Sequence, residues 1–398
     1  MTLISLRARS LNFFDRRCLV GFPWFWPARP PGVPAMVAAR RIARRQFGRD
    51  HRHGYRILGQ IVTAITWPFA VMVQLWQVRR FRGSRGAPIS RIPGALWAAF
   101  RHNVQPGEYF AYALWQSPRK ANIDNYLYCR EGTRLFKVLN RPTHPNPLDD
   151  KLAFHKLCKR LALPSPDILA AFAPSGELLL EFELGQPPKR DLFVKPRNGV
   201  GGEGSEYFRW LSDCFESEHG CQLTPEALGS YLAERALTEN RALLVQPALR
   251  NSTQLQLSEK SSLATARLVT GLTKHADVVP IFGVFFYIDR TEKLHARHAL
   301  IDVANAELSW ESDDKVFKAG SNEVRTLPDW KLALRYARIA HQECPNFIFV
   351  GWDVAFTEQG PVLLEGNVNW AADDFQRLRG EPLGNTRFAD ILASRLGL

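Results

Sequence analysis

The stretch "GWDVAFTEQGPVLLEGNVNW", residues 351–370, decides how the chain is read. Two runs rich in Val, Phe and Leu flank "TEQG", which predicts a β-hairpin. A three-residue loop Glu358–Gln359–Gly360, with Gly360 in the left-handed region, would set its register. That register puts Asp353 opposite Glu365. Side chains alternate across a strand, so Glu365, Asn367 and Asn369 share one face. Two carboxylates and an amide therefore sit where hydrocarbon is expected.

Paired like charges repel unless a cation lies between them. Hard oxygen donors converging in this way suit Mg²⁺, with phosphate oxygens and water completing an octahedron. The competing reading is a solvated face on an amphipathic sheet.

Working outward, residues 149–398 alternate short strands with two amphipathic helices. "DDKLAFHKLCKRLALP" reads as a helix ending before Pro164. "DLFVKP", "RALLVQPAL", "ATARLVTGL" and "VVPIFGVFFYI" read as strands, and "LPDWKLALRYARIAHQECP" as a helix. This predicts an α+β body with mostly antiparallel strands, not a doubly wound parallel sheet. Between "FVKP" and the next strand lies "RNGVGGEGS", with glycines at 199, 201, 202 and 204. Glycine tolerates positive φ and lets main-chain N–H groups approach a phosphate closely. The loop lacks the GKS or GKT of a Walker loop, and no helix opens after it. Lys195, just before it, is placed to reach a phosphate or an adenine nitrogen; a flexible hairpin with a solvated Lys is the alternative.

In order, "DK" at 150–151, "FVKP" at 193–196, the glycine loop, "LLVQP" at 243–247, "TARLVT" at 265–270, "GWDVA" at 351–355 and "LLEGN" at 363–367 resemble an ATP-grasp domain. Within that family the chain resembles the sugar-transfer-associated, alpha-L-glutamate-ligase-related members, and "PGEYFAYALW" before the domain shares that likeness. D-alanine–D-alanine ligase carries the same elements more distantly. The resemblance implies two α+β subdomains, 149–245 and 246–398, clasping ATP. It implies nucleotide contacts from Lys151 and Lys195, and a phosphate flap that includes Asn198, Gly199, Gly201, Gly202, Gly204 and Ser205. Leu244, Val245, Gln246 and Pro247 would hold adenine through backbone groups. Arg267 would bind phosphate and, with Lys195, serve catalysis. Asp353, Glu365 and Asn367 would hold Mg²⁺, two ions by family pattern, with Mn²⁺ as a substitute.

The reaction implied is carboxylate activation. ATP phosphorylates a substrate carboxylate, and an amine displaces phosphate. A sugar kinase and a non-catalytic nucleotide-binding membrane adaptor are the other two readings. The ribose contact is unassigned, because "VQPALRNS" holds no acid. Asn369, Trp370, Asp374 and Gln376 are candidates to face substrate. The carboxylate and amine themselves are not legible, and sugar-transfer association points by analogy to an envelope polysaccharide.

The rest of the chain differs in charge. Residues 1–100 carry seventeen Arg, no Lys and two acids. The remainder holds 35 basic and 37 acidic residues, so the overall +13 belongs to the N-terminal part and no nucleic-acid partner is expected of the body. "ILGQIVTAITWPFAVMVQLWQV", residues 57–78, has no charge. As a helix it spans roughly 33 Å, with Arg clusters on both sides. Ten Arg precede it over residues 16–56 and five follow over 79–91. A single span would put the ten-Arg flank inside and the ATP site outside, so the expectation is a helix lying in an anionic interface at the cytoplasmic side. A buried core helix in a soluble cytoplasmic protein, a transit peptide, and a start at Met36 are the competing expectations. The regions are thus 1–92 (basic, membrane-interacting), 93–148 (helical) and 149–398. The six cysteines form no CxxC pair or zinc spacing and suggest buried thiols in a reducing compartment.

Overall fold

The computed structural model describes residues 32–50, 67–80, 87–140, 146–182, 186–199, 202–290, 295–310 and 324–398. Gly201, residues 57–66 of the apolar run and Cys18 lie outside them.

Two antiparallel sheets form the C-terminal body. The first contains β1 (Ala170–Phe172), β2 (Leu178–Leu180), β3 (Leu192–Pro196), β4 (Glu206–Leu211), β5 (Cys214–Ser217), β6 (Gln222–Leu223) and β7 (Leu243–Pro247), in the order β2-β1-β7-β3-β4-β5-β6. The second contains β8 (Thr265–Leu272), β9 (Val278–Asp289), β10 (His295–Ile301), β11 (Leu308–Trp310), β12 (Phe349–Thr357) and β13 (Gly360–Asn367), in the order β11-β10-β9-β8-β12-β13. The class is α+β, as the strand pattern predicts.

Alternation decides what each face does. In the first sheet Leu192, Val194, Leu243 and Val245 pack with Leu228, Leu232 and Ala236 of the helix Pro225–Glu239. The period of two then turns Lys195, Leu244 and Gln246 to the opposite face. In the second sheet Ala266, Leu268, Trp352 and Val354 pack with the helices Lys151–Arg160 and Trp330–Gln342. The other face carries Val269, Phe282, Leu300 and Phe349, covered by the helices Asp373–Arg379 and Arg387–Leu396, with Pro34–Asp50 packed behind them. Further along, two residues from Val269 on β8 and four from Phe349 on β12, that cover ends, and Arg267 and Asp353 stand there, paired across the strands. The carboxylates are tolerated because their stretch of the face is not packed with hydrocarbon.

The opening hairpin forms with Asp353 paired to Glu365, by a different route from the one expected. Thr357 pairs with Gly360, so the loop is two residues, Glu358–Gln359, not three. Such a loop alone would slip Asp353 to Leu364. A bulge between Asp353 and Val354 adds the missing residue and restores the pairing. Gly360, at φ +101, supplies the positive φ, as expected of it.

The N-terminal part is joined to the body through helix Pro34–Asp50, whose Ala35, Met36 and Ala39 pack on Leu135 and Phe136. Arg40 is buried and reaches Asp124 at 2.6 Å and Glu131 at 3.3 Å. Cys158 and Cys344 are buried as expected, whereas Cys129 and Cys221 are exposed.

Candidate active site

Helix Lys151–Arg160 begins with Asp150, whose carboxylate caps the N–H groups of Leu152 and Ala153 at 2.9 and 3.2 Å. The same carboxylate takes a forked bond from Arg197, at 2.9 Å from Nε and 2.5 Å from Nη2. Asn198 donates to the Asp149 carbonyl at 2.9 Å, and Lys151 Nζ donates to the Gly199 carbonyl at 2.9 Å. The upstream end of the glycine loop is thus latched to the helix N-terminus by four side chains. Downstream, Arg235 donates to the Gly204 carbonyl at 2.6 Å and to Glu206 at 2.8 Å. Gly202 and Gly204 hold φ of +71 and +75, which is why glycine stands there. A Cβ on Gly204 would also meet Pro196 at 3.1 Å. Asp150, Arg197 and Arg235 were missed from sequence. Only "DDK" offered a signal, a cap residue directly before an apolar helix.

Lys195 pairs in the sheet with Leu244 and is almost fully buried. Burial pushes its ammonium down to about 8; Lys151 adds to that, and Glu365 and Asp353 oppose it. Glu365 and Asp353 of the second sheet are thus among the charges that act on Lys195. Lys151 approaches Glu365 at 3.5 Å. Asp353 is gripped by Arg267 in a forked pair, with Nη2 to Oδ2 at 2.8 Å and Nε to Oδ1. Asn367 Nδ2 donates to Glu365 Oε1 at 3.2 Å and Asp353 Oδ2 at 3.4 Å.

The two carboxylates differ. Burial pushes Asp353 up against the pull of Arg267, and Glu365 adds to the rise. Burial also works against the charge of Glu365, but Lys151, Asn367 and Lys195 hold it below the usual range. Arg267 is raised despite burial, because Asp353 faces it.

Leu244 and Val245 are paired with both β1 and β3; β1 ends opposite Val245, so Gln246 and Pro247 pair with β3 alone among the described pairings. Ser205 follows the loop with its N–H on the Gly202 carbonyl at 3.2 Å.

Two candidate substrate contacts are corrected. Trp370 is buried against Phe136, Phe282 and Phe388, at ring distances of 4.7, 5.5 and 6.1 Å. Gln376 is fully buried and its amide bonds both main-chain groups of Leu127 at 2.9 Å. Both tie the C-terminal segment to the helical region. Asn369 is exposed, and Asp374 is half-exposed with Arg377 at 3.0 Å and His298 at 3.9 Å.

Among the described residues no group of three or more His, Cys, Asp or Glu is set to hold a metal ion. The Asp353–Glu365–Asn367 patch offers two carboxylates and one amide. Its donor set fits a hard cation on two counts. The amide of Asn367 already spans both carboxylates, and turned by 180° it would present oxygen to the same point. Glu365 is held in its ionised form. Arg267 occupies the Asp353 oxygens, so a cation there would share that carboxylate with the guanidinium.

No protein-family model matches the chain, and no curated protein matches it. Several solved structures resemble it. D-alanyl-alanine synthetase A of Vibrio cholerae is 12% identical with a TM-score of 0.37, over 63% of this chain and 65% of that one. The N5-carboxyaminoimidazole synthase of Aspergillus clavatus, solved with ADP and a ribonucleotide, is 13% identical with a TM-score of 0.33, over 56% and 44%. The ATP-grasp ligase PsnB with its minimal precursor is 15% identical with a TM-score of 0.36, over 71% and 72%. The chain spans less than two-thirds of the length of the first two. Likeness at this level carries no functional argument, which rests on the site residues themselves.

Proposed function

We propose that the chain is an ATP- and Mg²⁺-dependent carboxylate–amine ligase of the ATP-grasp type. One observation carries the reading: Lys195 of the first sheet and Lys151, on the helix packed against the second, converge on Asp353, Glu365, Asn367 and Arg267. An anionic phosphate chain and a cation complement that alternation of charge. A glycine loop fixed at both ends lies beside it, at Lys151.

In this reading Asp353, Glu365 and Asn367 would hold Mg²⁺, which when bound neutralises charge on the β- and γ-phosphates. The other tasks fall to the chain's own side chains. Lys195 and Lys151 meet phosphate oxygens. Arg267, fixed by Asp353, steadies the transferring phosphoryl group. The loop 198–205 excludes water from the acyl phosphate that forms. An amine then attacks the acyl carbon and phosphate leaves. No protein nucleophile is needed. The finer reading adds two metal ions with Mn²⁺ as a substitute, membership of the sugar-transfer-associated branch, an envelope or exopolysaccharide product, and work at the cytoplasmic face of an anionic membrane. The test is incubation with Mg·ATP and a cell-envelope extract. ADP, free phosphate and a mass gain on an acceptor are expected; ADP with phosphate retained on a sugar would make it a kinase instead.

Lys195 gives a pH-dependent prediction. Its folded value of about 8 lies below the unfolded value of about 10.4. Between those values the unfolded chain binds more protons, so the stability of the unliganded protein should rise with pH over that window. Phosphates facing Lys195 would raise it again. Binding of Mg·ATP at pH 8 should therefore take up a fraction of a proton, read by calorimetry in buffers of different ionisation enthalpy. Lys195→Met should abolish the uptake; an unchanged uptake would place the phosphates elsewhere.

A further inference from the structure

Helix 67–80 has two unlike faces. Trp67, Ala70, Val71 and Leu75 are buried in one cluster with Ala95, Ala98 and Ala99 of the helix Ile92–His102. Phe69, Met72 and Trp76, three and four residues apart, are 72%, 57% and 58% exposed. Ile89, Trp97 and Phe100 are exposed as well, and Trp67 meets Phe100 edge-on at 6.1 Å. Scattered apolar residues on a surface need no explanation, but six large ones between residues 69 and 100 do.

Their charge surroundings narrow the choice of occupant. Residues 51–123 contain ten Lys or Arg and one acid, Glu108. That acid turns inward and accepts the N–H groups of Gln105 and Cys129 at 3.3 and 2.9 Å. Cations stand over the rings: Arg80 over Trp76 at 5.2 Å, Lys120 over Trp97 at 5.6 Å and Arg91 over Trp115 at 5.9 Å. Aromatic bodies with a cation beside each suit the level of lipid headgroups. No described helix is long and apolar enough to cross a membrane. The inner face of helix 67–80 is also spent on protein, leaving only the outer one.

We propose that the outer face of helix 67–80 docks on an anionic bilayer surface. Phe69, Met72 and Trp76 enter the boundary between headgroups and acyl chains, while Arg80, which stands over Trp76, meets lipid phosphates. This deepens the membrane part of the reading above, and it is testable without nucleotide or turnover.

The full chain is sedimented with phosphatidylcholine vesicles containing about one-third phosphatidylglycerol, and with pure phosphatidylcholine. Binding is expected to the first and to weaken in high salt. The double variant Phe69→Ser/Trp76→Ser alters only exposed positions, and an unchanged melting temperature verifies its fold. It should bind at least about tenfold more weakly. Wild-type binding with an equally tight variant would overturn the docking face and leave membrane association to the Arg clusters. No binding by wild type, or equal binding to both vesicles, would overturn the anionic surface as occupant. A wild-type dimer that the variant loses in sedimentation velocity would assign the face to a second copy instead.

Discussion

Glu365→Gln is expected to cut Mg·ATP turnover by about 10²–10³-fold, the loss typical when one preorganised electrostatic partner is deleted from a phosphoryl-transfer site. The amide keeps the side chain's shape and its contact with Asn367, and Glu365 stands at the cleft rather than in a core. The melting temperature should therefore change little. What is lost is the carboxylate held ionised by Lys151, Asn367 and Lys195. Its neighbour Asp353, raised by burial and already committed to Arg267, is a poor replacement. ADP release is the readout. A folded variant turning over near the wild-type rate at saturating Mg²⁺ would move the cation away from this patch.

Arg40→Ala is expected to cost about 3–5 kcal/mol, measured as a shift in the urea midpoint at constant slope. The Asp124 side chain is 1% exposed and has Arg40 at 2.6 Å and His102 at 2.9 Å. Removing Arg40 leaves that carboxylate buried with one partner and brings Glu131 no compensation. Burial works against the charge on Asp124, yet His102 and Arg40 hold it below the usual carboxylate range. Its contribution is thus present above the unfolded value of about 3.9 and lost as pH falls below it, so the gap between wild type and variant should narrow in acid. A cost under about 1 kcal/mol would mean that helix Pro34–Asp50 is not held to the body as described.

These two positions mark what sequence does and does not reveal. Glu365 was legible because a carboxylate breaks the apolar alternation of a strand, and a period of two admits only one face. The α+β class and the glycine loop followed from similarly local patterns. Arg40 was not legible. It sits among seventeen Arg in the first hundred residues, and nothing local separates a buried guanidinium from solvated ones. Asp124 and Glu131 lie 84 and 91 residues away, beyond any local pattern. Trp370 and Gln376 failed for a related reason. They follow the metal-type motif in sequence, but a short segment turns them into the interface with Phe136 and Leu127. The loop length of the hairpin failed differently, since a bulge and a shorter turn give the same Asp353–Glu365 pairing as a longer turn without one. Phe69, Trp76 and Trp97 carry helical spacing that reads equally as core or as surface, and only the packed neighbours decide.

Thermal unfolding of the full chain with and without Mg·ATP tests the proposed nucleotide site most directly. A nucleotide seated between Lys151, Lys195 and the Asp353–Glu365–Asn367 patch would bind the folded state alone. At 100 times Kd it should add about 2.7 kcal/mol, a rise of several degrees, and Lys195→Ala should lose most of it. A wild-type melting temperature that ignores millimolar Mg·ATP would contradict the account.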